Sequence, residues 1–238
     1  MEISDYIKTE LYTWKKSEIM VLFGILSVII INALIVHDGV IPLISALCGI
    51  LYTFIAGKGK IYCYFFGLCG TGLYSYLALR NALYGNFFLY LCYYFPMQII
   101  GIFEWNKHLK KDENTIEKTR MNNTERVYLS GISLLLCVIV SYIILFLLKG
   151  AQPVFDGVTT TLSVIGMYLT VKRKIEQWII WMIVNILSVI MWLSVLMEGE
   201  KVYSTLIMWM VYFMLAVYFY AKWVNELKNT YSNDKKSF

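Results

Sequence analysis

The chain has 238 residues, of which 59% are apolar and only 16% charged, and its mean hydropathy is +0.62. Those values exclude an ordinary soluble domain. The net charge of +5 is not gathered into a basic, aromatic-interleaved soluble module, so nucleic acid is excluded as a partner.

A helix needs roughly 20 mostly apolar residues to cross a bilayer core of about 30 Å. Eight stretches meet or nearly meet that length: 19–36, 40–56, 61–79, 84–103, 127–148, 154–171, 176–197 and 204–222. Strand alternation is absent, and in lipid each segment must pair its own backbone groups, so all eight are expected to be helices. The first run is too long for a signal-peptide core and no small-residue cleavage site follows it, so it is expected to persist as a helix. Spans 2 and 3 are separated only by AGKGK, and spans 6 and 7 only by KRK with its neighbours. Span 4 contains Pro96, which removes a backbone bond and predicts a kink. The segment 104–126 carries eleven charges and reads as a solvated connector without a site.

Lys and Arg fix the orientation. The N-terminus, AGKGK, the 104–126 segment, KRK and the tail from Lys222 hold 18 of the 21 basic residues, and the alternate loops hold Arg80, Lys149 and Lys201. Both termini are therefore expected in the cytoplasm. The cysteines at 48, 63, 69, 92 and 137 lie in apolar spans without CxxC spacing, which predicts buried structural thiols.

The spans form two sets of four. YTFIAGKGKIYCYFFG (52–67) is laid out like YLTVKRKIEQWIIWMI (168–183), and YLCYYFPMQIIGIFEWNK (90–107) like MWMVYFMLAVYFYAKWVN (208–225). The separation reads as about 116 to 118 residues, and the even number of spans between equivalents makes the repeats parallel. Transporters are often built from such repeats, with the substrate held between them.

No Asp, Glu, Lys, Arg or His lies in the middle of a span, although ion-coupled carriers usually place such groups there. There is no GxxxxGK[ST] loop, no HExxH and no intramembrane carboxylate pair, and His37 and His108 lie in loops on opposite sides. An enzyme, a metal site and a cofactor are not expected.

What remains is uncharged polar and aromatic. Trp178, Trp181, Asn185, Ser188 and Trp192 recur at steps of three, four, three and four, one face of a helix. Tyr94, Gln98, Gly101 and Trp105 form a second such face. Span 3 offers Gly67, Gly70, Thr71 and Tyr74, span 6 offers Asp156, Thr159, Thr160 and Ser163, and span 8 offers Trp209 and Tyr212. Counted from the ends of antiparallel spans 4 and 7, Gln98 falls level with Trp181 and Tyr94 near Asn185. Amides bind carboxamides or sugar hydroxyls, and Trp and Tyr faces suit a flat ring, more so if it is cationic. Plainer roles compete: interface anchoring for Trp178 and Trp192, helix packing for the glycines and for any single Tyr, and interhelical bonding for Gln98 and Asn185.

EQWIIWMIVNILSVI, KIYCYFFGLCGTGLY and PMQIIGIFEW resemble the PnuC family of bacterial vitamin transporters, from about residue 40 to 225, with WxxWxxxN the most specific piece. Two positions depart from the family pattern: Gly70 stands where Asn is frequent and Ile102 where Trp is frequent. The resemblance implies an all-α integral membrane protein with eight transmembrane helices. Two parallel three-helix-bundle repeats would be joined by a linker helix, a 3+1+3 SWEET-like fold, with one extra N-terminal helix. The implied boundaries are 1–38 for the N-terminus and extra helix, 39–104 for the first bundle and 105–126 for the cytoplasmic loop. The linker helix would then span 127–150, the second bundle 151–224 and the tail 225–238. The implied function is uptake of nicotinamide riboside by facilitated diffusion across the bacterial inner membrane, trapped by a separate cytoplasmic kinase. Thiamine, riboflavin or a nucleoside as cargo is the alternative within the fold, and a non-transporting sensor or assembly subunit the alternative outside it. Self-association into a homo-oligomer is left open. The candidate substrate-binding residues are Gln98, Trp181, Asn185, Tyr94, Trp178, Ser188, Tyr212, Thr160, Ser163 and Tyr74.

Overall fold

The computed structural model describes residues 14–36, 39–80, 84–110, 115–146, 153–199 and 203–234. Among the described residues eight long helical segments run in order: α1 (Lys16–Val36), α2 (Val40–Gly57), α3 (Cys63–Arg80), α4 (84–106), α5 (Asn123–Phe146), α6 (Pro153–Val171), α7 (Gln177–Met197) and α8 (Tyr203–Asp234). All but α3 are long and apolar enough on their own to cross a membrane; the small and polar run GLCGTG interrupts α3. The boundaries follow the expected spans, except that α5 starts four residues earlier and α8 continues well beyond 222.

The helix departs from regular α geometry just before Pro96. A π-helical turn, Tyr90–Tyr94, immediately precedes it, and the Phe95 N–H reaches the Tyr90 carbonyl. The wider turn accommodates a ring that has no N–H to offer and would crowd an α-helical turn. Asn122 and Glu125 open α5 with a reciprocal capping box: the Glu125 N–H donates to Asn122 Oδ1 at 2.7 Å and the Asn122 N–H to Glu125 Oε2 at 3.0 Å.

The loops after α2 and α6 are the same structure twice. Lys60 and Gly59 donate backbone bonds to Ile55 and Ala56, as Lys174 and Arg173 do to Leu169 and Thr170. This is the Schellman closure of a helix end, and it needs a left-handed residue. Gly59 supplies it at φ 72°, and Arg173 at φ 57°, where a side chain costs about 1 kcal/mol. The equivalence sets the register at 114 residues here, not the expected 116 to 118. The left-handed residue, and not the preceding Tyr, fixes the alignment.

The segment between α4 and α5 is not a free solvated connector. Its residues 115–121 cross both short loops: the Ile116 N–H donates to the Gly59 carbonyl at 2.9 Å, and the Thr119 N–H to the Arg173 carbonyl at 3.0 Å. Those two carbonyls are equivalents in the 114-residue register. Ile116 is 1% exposed and Lys118 pairs with Glu226, so burial and backbone pairing outweigh the segment's charge. The charge density had suggested water on all sides, but its apolar residues face inward.

This basic end of the molecule is also where the largest buried side chains gather: Trp105, Trp223, Tyr64, Phe54 and Phe219. Tyr64 meets Trp105 edge-on at 5.0 Å and Phe54 meets Phe219 at 5.4 Å. Trp105 Nε1 of α4 donates to the Thr170 carbonyl of α6 at 3.0 Å, and Trp223 Nε1 of α8 to the Gly57 carbonyl of α2 at 2.7 Å. Glu18 of α1 is buried between Lys58 and Lys222, at 2.5 and 2.7 Å. Burial pushes the Lys58 ammonium down and the Glu18 carboxylate opposes the shift.

The outward faces are apolar, and α5 has no buried residue at all, as a helix bathed in lipid would. Of the five free cysteines only Cys63 is buried; Cys48 and Cys137 are half-buried, and Cys69 and Cys92 are exposed on outward helix faces. In a span, an apolar neighbourhood does not distinguish core from lipid.

Ile116→Asn places an amide where only 1% of the residue is exposed. It is expected to lower the thermal unfolding midpoint in detergent by the equivalent of about 2–4 kcal/mol. Arg120→Gln, on the exposed part of the same segment, is expected to leave the midpoint unchanged.

Candidate functional site

Between the helices, from the packed basic end toward Pro42, Leu77 and Trp209, lies a cavity of about 400 Å³. Six helices line it, α2, α3, α4, α6, α7 and α8, while α1 and α5 contribute nothing. Its wall includes eight aromatic side chains: Tyr52, Tyr74, Tyr90, Tyr94, Trp178, Trp181, Trp209 and Tyr212. Its polar groups are hydroxyls and amides, among them Ser45, Thr71, Gln98, Gln177 and Asn185, and none of the lining residues is charged. The cavity can therefore hold a flat, uncharged or weakly hydrated ring with hydrogen-bonding substituents, and offers no counter-ion to an anion.

Eight of the ten residues singled out from the sequence lie in this wall: Gln98, Trp181, Asn185, Tyr94, Trp178, Tyr212, Ser163 and Tyr74. Thr160 and Ser188 do not. Thr160 is half-buried on α6, and Ser188 is buried on α7 one turn beyond Asn185. Helical periodicity put Ser188 on the face of Trp181 and Asn185, but it does not line the cavity.

Gln98 is held in a slot. Its Nε2 donates to Thr71 Oγ1 at 2.6 Å, and a Cβ on Gly67 would sit 2.6 Å from its Oε1. Gly67 is thus small so that the amide of α4 can reach α3. The Gln98 Oε1, Gln177 Nε2, Trp178 Nε1 and Trp209 Nε1 atoms have no hydrogen-bond partner among the described residues, and all four belong to cavity-wall residues. Buried polar atoms are usually paired, so an unpaired cluster around one cavity marks it as a place for a polar ligand. Trp181 donates from Nε1 to Thr170 Oγ1 at 3.3 Å and lies on Gly166. Trp178 stacks on Phe219 at 5.5 Å and meets Trp223 edge-on, so it is an interior residue and no interface anchor. Tyr74, Tyr90 and Tyr94 form a ladder, with ring centroids 4.2 and 4.9 Å apart.

The sequence patterns missed Tyr52, Tyr90, Thr170 and Gln177. Tyr52 and Tyr90 each open a stretch that the repeat comparison had quoted, so the repeat itself was the available signal. Gln177 precedes the WxxW spacing by one residue and gave none.

The repeat register also pairs cavity residues. At 114 residues, Thr71 is equivalent to Asn185 and Gly67 to Trp181; at the 118 that aligns Trp105 with Trp223, Tyr94 is equivalent to Tyr212 and Gln98 to Ala216. One scaffold thus carries two different sets of groups.

Comparison with known proteins agrees with this geometry. A family profile described as nicotinamide mononucleotide transporter matches residues 39–225. The nicotinamide riboside transporter PnuC of Neisseria mucosa is 34% identical over 195 residues, 80% of this chain and 74% of that protein. Its counterpart in Haemophilus influenzae is 30% identical over 201 residues, 81% and 83% of the two chains. A crystal structure of the vitamin B3 transporter PnuC superposes with a TM-score of 0.74 at 30% identity, covering 91% of this chain and 94% of that one.

Gly67→Ala is expected to displace Gln98 and cost about 1–3 kcal/mol of stability, read as a lower unfolding midpoint. Gly72→Ala, whose added Cβ would meet nothing within 4 Å, is expected to leave the midpoint unchanged or raise it.

Proposed function

This chain belongs to the nicotinamide mononucleotide transporter family, that of PnuC, and from that premise we propose that it takes up nicotinamide riboside by facilitated diffusion. It is a multi-pass membrane transporter and not an enzyme. The observation that carries the substrate reading is the uncharged cavity wall. The family description speaks of the mononucleotide, whereas the relatives are named for the riboside. A phosphate dianion taken from water into a wall without Lys or Arg would lose several kcal/mol of hydration with no partner to offset it. The riboside presents hydroxyls, a carboxamide and a flat ring whose single positive charge is delocalised, and the wall supplies amides, hydroxyls and aromatic faces.

In this reading α2–α4 and α6–α8 are two three-helix bundles, α5 links them and α1 is an addition. The six-helix lining of the cavity and the duplicated Schellman loops support that division. So does the family match, which starts at residue 39, after α1. The bundles occupy about 39–104 and 151–224. The basic end faces the cytoplasm of a bacterial inner membrane, as the 18 to 3 partition of Lys and Arg favours, and both termini lie there. Gln98 and Asn185 hold polar groups of the substrate, Trp181 and Tyr94 wall its ring, and the bundles rock about the site. Uniport needs no titrating group within the membrane, and the cavity wall has no carboxylate, Lys, Arg or His. Phosphorylation by a separate cytoplasmic kinase then keeps the gradient directed inward.

In protein-only liposomes, Asn185→Leu is expected to abolish uptake of labelled nicotinamide riboside while the variant inserts and unfolds like the parent. Normal uptake would return Asn185 to a packing role. Calorimetric titration with nicotinamide riboside, its mononucleotide, thiamine and riboflavin should show heat for the riboside alone. Binding of the mononucleotide would overturn the argument from the uncharged wall.

A further inference from the structure

The two bundles differ at one pair of equivalent positions in an informative way. In the 114-residue register Tyr52 corresponds to Gly166, and Gly67 to Trp181. In the first bundle the large residue is on α2 and the small one on α3: a Cβ on Gly67 would lie 2.8 Å from the Tyr52 ring. In the second the sizes are reversed: a Cβ on Gly166 would lie 3.0 Å from the Trp181 indole. Each bundle therefore fills the same spot with one aromatic ring, delivered from different helices.

The two rings converge. Trp181 lies on Gly166 and bonds Thr170, and the Tyr52 hydroxyl donates to the sulfur of Met167 at 3.7 Å. Both therefore end on the same turn of α6, one arriving from α2 and the other from α7, and both line the cavity. Most of the other wall aromatics already meet a close neighbouring ring: Tyr74 is tilted on Tyr90 at 4.2 Å, Tyr90 meets Tyr94 edge-on at 4.9 Å and Trp178 stacks on Phe219 at 5.5 Å. Trp181 packs instead on glycine backbone, and Tyr52 has one tilted ring neighbour, Tyr64, at 6.0 Å.

We propose that Tyr52 is a ligand-binding residue, and that Tyr52 and Trp181 together hold a positively charged aromatic ring by their π faces in place of a counter-ion. The proposal rests on the nicotinamide riboside reading, because the ring of that molecule is a pyridinium cation. A cation entering a cavity without any carboxylate in its wall needs another source of negative potential, and aromatic faces provide about 0.5–2 kcal/mol each where water is excluded. The same arrangement explains how a carrier can accept a cation and still release it: no buried ion pair has to be broken. Gly67 and Gly166 act as positioning residues that leave room for the two rings.

The test is calorimetric titration of the purified protein with nicotinamide riboside and with its 1,4-dihydro form, which keeps every substituent but has a neutral, non-aromatic ring. The parent protein is expected to bind the cationic form about tenfold tighter. Tyr52→Phe is expected to preserve that ratio, and Tyr52→Leu to reduce it to within about threefold. An unchanged ratio in Tyr52→Leu would overturn the proposal while leaving the substrate reading intact, and equal affinities in the parent would do the same. Failure of the parent to bind either form would remove the substrate reading and the proposal with it. Should Tyr52→Leu not fold, a series of singly, doubly and triply fluorinated phenylalanines at position 52 keeps the shape and drains the face. Affinity for the cationic form should then fall with each fluorine while that for the dihydro form stays constant. A flat series overturns the proposal.

Discussion

Two indole N–H groups set the geometry on which everything else depends. Trp105 at the end of α4 takes a last-turn carbonyl of α6, and Trp223 of α8 takes one of α2. A helix end leaves carbonyls without intrahelical partners, and the left-handed turn pairs only some of them; the Thr170 carbonyl takes the Arg173 N–H as well as the indole. The two bonds run in opposite senses, α4 to α6 and α8 to α2, and tie these four helices together at the basic end. The strap at 115–121 adds backbone bonds to the Gly59 and Arg173 carbonyls, and Glu18 adds a buried link from α1 to Lys58 and Lys222. With that end packed solid, the space between the six helices survives as a cavity.

Within the cavity, positions equivalent in the sequence registers carry different groups. Thr71 with Gln98 on one side stands against Asn185 with Ala216 on the other, and Tyr52 over Gly67 against Trp181 over Gly166. Polar groups and aromatic rings thus line the cavity from both α2–α4 and α6–α8, and they differ between equivalent positions. The glycines are the means: a missing Cβ at 67 or 166 decides from which helix the ring arrives.

The absence of charge in the wall is the complementary constraint. A charged wall residue would bind an ion or an anionic substrate, at the cost of desolvating it in every cycle. Aromatic faces, amides and hydroxyls discriminate by shape and by hydrogen bonds, and none of them has to titrate during transport.

The sequence by itself determined the class, the eight helices and the polar faces, because apolar length and the 3.6-residue period are local properties that lipid enforces. It exposed Gln98, Trp181 and Asn185, since amides and indoles stand out against an apolar background. It also offered a repeat pattern, with the 118-residue spacing of Trp105 and Trp223, but not the 114-residue spacing of the short loops, which the left-handed residues Gly59 and Arg173 set. Only the tertiary structure decided that Tyr52 reaches the cavity, that Ser188 and Thr160 fall outside its wall, and that a charged connector is a buried strap. Those outcomes depend on which side of a helix meets another helix and at what depth. In a chain where lipid and core are equally apolar, no local pattern distinguishes the two.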